Sequence, residues 1–139
     1  MSKVEIICEI GVNHDGDFEQ AKRLMLAAKE SGADTVKFQG FSAQDLVQPG
    51  AEAASYQKEN LGSDEVDQHE MLAALELSMA EFETLKSEAE ALGMGFLVTP
   101  FSINFVDALC GIGVERLKIS SGEIVNGPLL MKTARRGLP

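Results

Sequence analysis

The chain has 139 residues, 45% of them hydrophobic, and a formal net charge of −10 from 22 acidic against 12 basic side chains. That is enough apolar material for one domain with a real core. The acidic balance argues against nucleic acid or an anionic membrane as the main partner, while leaving room for a small anion in a locally basic pocket. No apolar run reaches the ~18 residues a membrane-spanning helix needs, and no signal peptide is read at the start. Cys8 and Cys110 lie far apart in apolar surroundings and read as reduced thiols of a cytoplasmic protein.

Val4–Ile10 is an apolar run short enough for a buried parallel strand. Asp17 then precedes Phe18, Ala21, Leu24, Met25 and Ala28 at helical spacing, with Gln20 placed for a capping box and Gly32 as the stop. Thr35–Gln39 is the second strand. Residues 40–77 are too long for a simple connection and read as an active-site wall or lid, with a turn at Pro49-Gly50. Within that stretch Glu70–Glu76 predicts a short helix, turning Met71, Leu72 and Leu75 inward. Ser78 with Glu81 opens the next helix, which runs through Phe82, Leu85 and Ala89 to Gly93. Gly95–Thr99 is the third strand, and Ser102 caps a helix carrying Phe105, Val106 and Leu109. Arg116–Ser120 is the fourth strand. Asn126 followed by Pro128 starts a last helix that Gly137 closes.

The organising unit is therefore a strand, a polar cluster and a helix, repeated. The clusters are Glu9-Ile-Gly-Val-Asn-His14, Lys37-Phe-Gln39, Thr99-Pro-Phe-Ser102 and Lys118-Ile-Ser-Ser-Gly-Glu123. Parallel α/β folds open all strand C-termini on one face, so these clusters are expected to converge on one site. Four such units amount to half of an eight-unit barrel.

Lys37 and Lys118 each put an ammonium between apolar strand neighbours, which is costly unless the charge is partnered. The pattern leaves three partners open: a bound phosphate or carboxylate, an internal carboxylate such as Glu9 or Glu123, or solvent at the rim. A Schiff-base lysine is a further option. Glu9, among apolar residues, suits acid–base work or a structural salt bridge. Gln39 shares a strand face with Lys37 and offers a donor and an acceptor to a sugar hydroxyl or amide, or to backbone. Thr99 is free either for an anion or for a turn. Ser120-Ser121-Gly122-Glu123 exposes small groups and backbone N–H at a strand end, which suits phosphate, with Glu123 projecting towards the same opening. His14 and His69 have no set spacing, and the turn role of Asn13-His14-Asp15-Gly16 outweighs a metal role. No Walker loop, dinucleotide fingerprint or Gly-x-Ser-x-Gly elbow is present.

In this order, Cys8-Glu-Ile-Gly-Val-Asn-His-Asp-Gly16, Ala33-Asp-Thr-Val-Lys-Phe-Gln39, Phe96-Leu-Val-Thr-Pro-Phe-Ser102 and Leu117-Lys-Ile-Ser-Ser-Gly-Glu123 closely resemble the sialic acid synthase family. Tyr56-Gln-Lys and Glu70-Met-Leu…Leu75-Glu-Leu-Ser78 are similar to it as well. The resemblance covers nearly the whole chain. It implies the first four βα units of a TIM (β/α)8 barrel, with residues 1–139 as a truncated N-terminal half-barrel. The second half and the small antifreeze-like domain usual in the family are expected to be absent from this chain. It also implies a transferase that condenses phosphoenolpyruvate with an N-acyl hexose such as N-acetylmannosamine, releasing phosphate by C–O cleavage. By motif, Lys37, Thr99, Lys118 and Ser121 would grip phosphoenolpyruvate, Glu9 would serve acid–base chemistry, and Gln39 and Glu123 would orient the sugar. A divalent metal, Mn2+ or Mg2+, is implied as a Lewis acid; its histidine ligands belong to the second half, and no metal ligand is assigned to this chain.

A half-barrel leaves its outer strands with open edges, which implies pairing with another half or another copy, hence a homo-oligomer such as a dimer. A related synthase joining phosphoenolpyruvate to an aldose phosphate shares the reaction logic. A non-catalytic anion-binding or oligomerising half-barrel is the reading from a different class.

Overall fold

The computed structural model describes residues 4–47 and 67–139. Pro49-Gly50 and Tyr56-Gln-Lys therefore lie outside the described residues. Three parallel strands, β1 (Ile7–Gly11), β2 (Thr35–Gly40) and β3 (Gly95–Pro100), form one sheet in that order. They are the first three strands expected from the sequence, with β1 beginning three residues later than the apolar run. Pairing is parallel at both junctions, as strands joined by helical crossovers require.

Helices cross between the strands because side-chain chemistry starts and stops them. Helix α1 (Phe18–Glu30) begins where the Asp17 carboxylate accepts from the Gln20 N–H at 3.0 Å. The predicted box is not reciprocal there, since Gln20 Oε1 turns outward to accept from Arg23 Nε at 2.9 Å. Short helices α2 (Ala43–Leu46) and α3 (Gln68–Ala73) precede α4 (Met79–Ala91). At α4 the box is complete: Ser78 accepts from the Glu81 N–H, and Glu81 accepts from the Ser78 N–H at 2.7 Å. Ser102 caps α5 (Ile103–Gly111), and Asn126 caps α6 (Gly127–Ala134) with Pro128 in its first turn.

The strand period of two divides the sheet into two chemically distinct faces. Val36, Phe38, Phe96 and Val98 turn to the helices and meet Met25 of α1, Phe82 and Leu85 of α4 and Leu109 of α5 in one core. Each fully buried large apolar side chain there contributes about 1.5–3 kcal/mol. Thr35, Lys37, Gln39, Gly95, Leu97 and Thr99 occupy the opposite face. A bulge between Glu9 and Gly11 lets Ile10 turn into the core while the polar residues of β1 stay on that second face.

The fourth strand is a correction. Residues 116–120 make a single bridge, Leu117 to Val98, rather than a strand. Lys118 N–H donates to the Val98 carbonyl at 3.4 Å, but Leu117 N–H donates to the Pro139 carbonyl at 3.1 Å, so the ladder along β3 does not propagate. The following Ser121–Glu123 forms a 3-10 turn. The described residues thus contain three strand-forming units and a fourth segment laid along the sheet edge.

At the N-terminal end of the second face, Arg116 reaches back across the sheet. Its Nη1 donates to Glu5 Oε2 at 2.8 Å and its Nη2 to Thr35 Oγ1 at 2.8 Å, while Thr35 Oγ1 donates to Glu5 Oε1 at 2.5 Å. Arg116 passes over Gly95, where an added Cβ would stand 2.2 Å from Thr35 Oγ1 and 3.1 Å from Arg116 Nη2. Glycine is required at this point by the close approach, not by backbone angle.

The Arg116 guanidinium and the Thr35 hydroxyl lower the Glu5 pKa from 4.5 to about 2. A folded-state pKa below the unfolded one gives stability that is present above the unfolded value and lost as pH falls through the folded one. Thermal unfolding midpoints are expected to fall between pH 4.5 and about 2, and Glu5→Gln should flatten that part of the profile. An unchanged profile in the variant would show the clamp to be without thermodynamic effect.

Candidate active site

Lys37 lies in the middle of β2, only 3% exposed, in register with Glu9 of β1 and Leu97 of β3. Its ammonium is held by both carboxylate oxygens of Glu9, at 2.9 Å to Oε1 and 2.8 Å to Oε2. Of the partners open to Lys37 in the sequence, the internal carboxylate of Glu9 is in place. The pair is asymmetric: the lysine side chain is enclosed, while that of Glu9 is 55% exposed. A carboxylate with one side in solvent can swing away, whereas the lysine has nowhere to go.

Gly11, with φ at +61°, sits beside this pair. A Cβ there would stand 3.1 Å from Glu9 Oε1 and 3.4 Å from Gln39 Oε1, so the missing side chain opens the space in which carboxylate and amide meet. Sequence reasoning placed this glycine within a motif but gave it no role; a glycine two residues after an acidic strand residue was the available signal. In register with Gln39, Thr99 of β3 is fully buried, and its hydroxyl has no hydrogen-bond partner among the described residues. A buried hydroxyl without a partner is unusual and marks a place that a polar group would satisfy.

Glu9, Lys37, Gln39 and Thr99 thus share one face of the sheet near its C-terminal end. The candidates from the fourth segment stand differently. Lys118 and Ser121 are exposed, and Glu123 is half-buried, its Oε2 accepting from Asn126 Nδ2 at 2.7 Å. Within the 3-10 turn, the Gly122 N–H donates to Ser120 Oγ at 3.3 Å and the Glu123 N–H to the Ser120 carbonyl at 3.0 Å. Those two N–H groups are engaged locally instead of pointing freely at an anion.

His14 serves the loop after β1. Its Nδ1 accepts from the Gly16 N–H at 3.1 Å and its ring packs on Phe38. A neutral ring bonded this way carries its proton on Nε2, which is buried without a partner among the described residues. Burial lowers its pKa against the opposing pull of the Asp15 and Glu81 charges. Gly16, at φ +71°, lies so close to the end of α3 that a Cβ would stand 2.0 Å from the Ala74 carbonyl oxygen. This contact fixes α3 over the C-terminal end of the sheet. Among the described residues no three of His, Cys, Asp and Glu are gathered so as to hold a metal ion. They therefore do not form a ligand set for the implied divalent metal.

A second feature was not legible in the sequence. Beyond Gln39, a cavity of about 360 Å³ opens between the strand ends and the two short helices, walled by Phe41 and Phe101 after β2 and β3, Leu46 of α2, and Met71 and Leu72 of α3. The two helical segments are tied together across it: Glu76 Oε1 accepts from the Ala43 N–H at 2.5 Å. The expected inward stripe Met71, Leu72 and Leu75 is what lines this space.

A parallel α/β unit with an ion pair, an amide and an open apolar cavity at the carboxyl ends of its strands has the layout of part of an α/β enzyme, where substrates bind outside those ends. The sequence profile of the NeuB family matches residues 24–139. The chain belongs to the NeuB family. N,N'-diacetyllegionaminic acid synthase of Legionella pneumophila is 51% identical over 134 residues, 96% of this chain and 37% of that protein. The enzyme of the same name from Campylobacter jejuni is 43% identical over 97% of this chain and 40% of its own length. In three dimensions, the N-acetylneuraminic acid (sialic acid) synthetase of Leptospira borgpetersenii, solved in complex with citrate, superposes with a TM-score of 0.77. It is 31% identical, and the match covers 99% of this chain and 43% of that one. By family the chain is thus of an enzyme lineage, and it spans about two-fifths of the length of these relatives.

Removing either member of the Lys37–Glu9 pair tests how firmly it is built. Glu9→Ala leaves a buried ammonium and is expected to cost about 2 kcal/mol, less than the ~3–5 kcal/mol of a fully buried pair because Glu9 is half in water. Lys37→Met keeps the volume and removes the charge, so it should be within about 1 kcal/mol of the parent. Urea unfolding reads both, and equal losses would mean that packing, not charge, holds the site.

Proposed function

We propose that the chain is the phosphoenolpyruvate-binding part of a nonulosonic acid synthase, in which phosphoenolpyruvate condenses with an N-acyl hexose and water and phosphate is released. The observation that carries this reading is the enclosed Lys37 ammonium held by a half-exposed Glu9 carboxylate. Such a cation exchanges one anion for another: a phosphate or carboxylate of the substrate takes the place of Glu9, and Glu9 is released beside the reacting groups. The names of the relatives, synthases of legionaminic and sialic acids, support the same reading.

The reaction follows from the chemistry of an enol phosphate. Carbon 3 attacks the sugar aldehyde, whose oxygen takes up a proton. Water adds at carbon 2 and gives up a proton, and the tetrahedral intermediate breaks its C–O bond to expel phosphate. Lys37 and the Thr99 hydroxyl hold the anion, with Lys118 and Ser121 closing on it from the fourth segment. Glu9 accepts the proton from water or returns it to the aldehyde oxygen. Gln39 and Glu123 orient the sugar hydroxyls. Lys37 acts by electrostatic positioning and not by Schiff-base chemistry, because its ammonium is ion-paired. The described residues supply no ligand set for the divalent metal that the resemblance implies.

The architecture that fits this reading is the first part of a (β/α)8 barrel, residues 1–139, whose remaining units and antifreeze-like domain would lie in further polypeptide. Cytoplasmic biosynthesis of a surface sugar fits the substrates. Among the described residues, no helix is long and apolar enough to cross a membrane. On its outer side β1 is unpaired among the described residues; Ile6 and Ile7 are exposed, and Ile6, Cys8 and Leu24 line a cavity of about 390 Å³. That apolar edge supports association of the 139-residue chain with a second copy. Light scattering is expected to give a dimer mass, and a stable, well-folded monomer removes the pairing.

For the chemistry, titration with phosphoenolpyruvate followed by NMR of the lysine side chains should move the Lys37 signal, and Lys37→Met should abolish binding. Glu9→Gln should bind the anion several-fold more tightly, since the competing carboxylate is gone, while losing phosphate release. Turnover is assayed as phosphate release with N-acetylmannosamine and Mn2+, against arabinose 5-phosphate as the alternative sugar. Binding without turnover points to a half-site, and absence of any Lys37 response overturns the reading.

A further inference from the structure

We propose that neutral His14 is a positioning residue that seats α3 over the strand ends, and that a proton taken up at its Nδ1 releases that helix. The ring plays this part whichever substrate the face of Glu9 and Lys37 takes.

The surroundings of the ring demand the neutral form. Nδ1 accepts from the Gly16 N–H at 3.1 Å, which only an unprotonated nitrogen does. Nε2 carries the remaining proton and is buried without a partner among the described residues. The residue is 1% exposed and its ring lies 6.2 Å from that of Phe38, so a cation formed there is cut off from water. Beside it Asp15 stands at φ +51°, a left-handed backbone that a residue other than glycine keeps only where its surroundings impose it. The Asp15 N–H donates to the Val12 carbonyl at 3.0 Å and the Asp17 N–H to the His14 carbonyl at 2.9 Å. The bond from the Gly16 N–H to Nδ1 closes the same turn through a side chain, as an Asx turn does two residues on.

Gly16 passes the state of the ring to α3. The space beside its Cα is filled by the end of that helix, where a Cβ would stand 2.0 Å from the Ala74 carbonyl oxygen and 3.7 Å from Leu75 Cα. Glu76, just beyond, accepts from the Ala43 N–H at 2.5 Å, so α2 is tied to the same seat. A proton on Nδ1 turns the acceptor into a donor that faces the Gly16 N–H, and the turn pressed against Ala74 loses its side-chain tie. Asp15 of the loop and Glu81 in the first turn of α4 face the ring with their charges, β2 presents only uncharged Phe38, and α3 carries His69, Glu70 and its cap Asp67. Burial outweighs the pull of Asp15, Glu81 and the Gly11 carbonyl and holds the His14 pKa below 6.5 while α3 is seated. Seating is therefore strongest above pH 6.5. It weakens as pH falls from there towards the seated-form value, by about tenfold in the ratio of the two forms per pH unit. That window lies above the one in which the Glu5 clamp fails, from 4.5 to about 2.

The test is a pH titration of the full 139-residue chain by NMR, in a His69→Gln background that removes the other histidine. Ring nitrogens of His14 report its proton, and the Met71 methyl, assigned by Met71→Leu, reports α3. At neutral pH the ring is expected as the Nε2–H tautomer. As pH falls below 6.5, the Met71 signal should move with the same midpoint as the ring. His14→Asn keeps an acceptor for the Gly16 N–H and cannot titrate, so Met71 should hold its neutral-pH position throughout that range. His14→Ala removes the acceptor, and Met71 should stand at its low-pH position at every pH. The parent titration decides the matter by itself if either variant does not fold. A Met71 signal that stays still while His14 titrates, or that moves equally in His14→Asn, overturns the proposal. So does an Nδ1–H tautomer, or a ring that stays neutral until the whole chain unfolds.

Discussion

The contact between Lys37 and Glu9 governs how this sheet is organised. A strand lysine enclosed by apolar neighbours is tolerable only with a counter-charge at hydrogen-bond distance, and the parallel register of β1 and β2 delivers one. Everything nearby accommodates that requirement. The bulge in β1 turns Ile10 into the core without moving Glu9 off the polar face, and Gly11 keeps the space beside the carboxylate clear. The same arrangement sets a threshold for ligands, because an incoming anion must outcompete a bidentate carboxylate. Weakly bound inorganic anions are disfavoured on that basis.

Much of the scaffold was legible because its signals are local. Apolar runs bounded by glycine pointed to the strands, and Asp17, Ser78, Ser102 and Asn126 announced helix starts by chemistry that acts within three residues. Gln39 and Lys37 were legible as neighbours because a strand repeats every second residue. The partner of Lys37 was not, since carboxylate, solvent and bound anion satisfy the same sequence equally well. Only the register between β1 and β2 shows that Glu9 comes within reach.

The fourth strand was over-read for a related reason. Leu117-Lys118-Ile119 has the composition of a strand, but a strand also needs a ladder, and the Leu117 N–H is taken by the Pro139 carbonyl. The apolar cavity was missed because its walls come from separate stretches of chain, joined by the Glu76–Ala43 bond and the close contact at Gly16. Met71, Leu72 and Leu75 were correctly read as facing inward; what they face is a space and not a filled core. No periodicity encodes that difference.

The clamp of Glu5, Thr35 and Arg116 lies at the opposite end of the strands from the ion pair and the cavity. It joins residues 111 positions apart and depends on the absence of a single methyl group at Gly95. Cohesion and chemistry are therefore entrusted to different ends of the same three strands. Changes to the cavity walls leave the clamp untouched, so a lineage built on this frame can vary the openings at its strand ends without renegotiating how its sheet holds together.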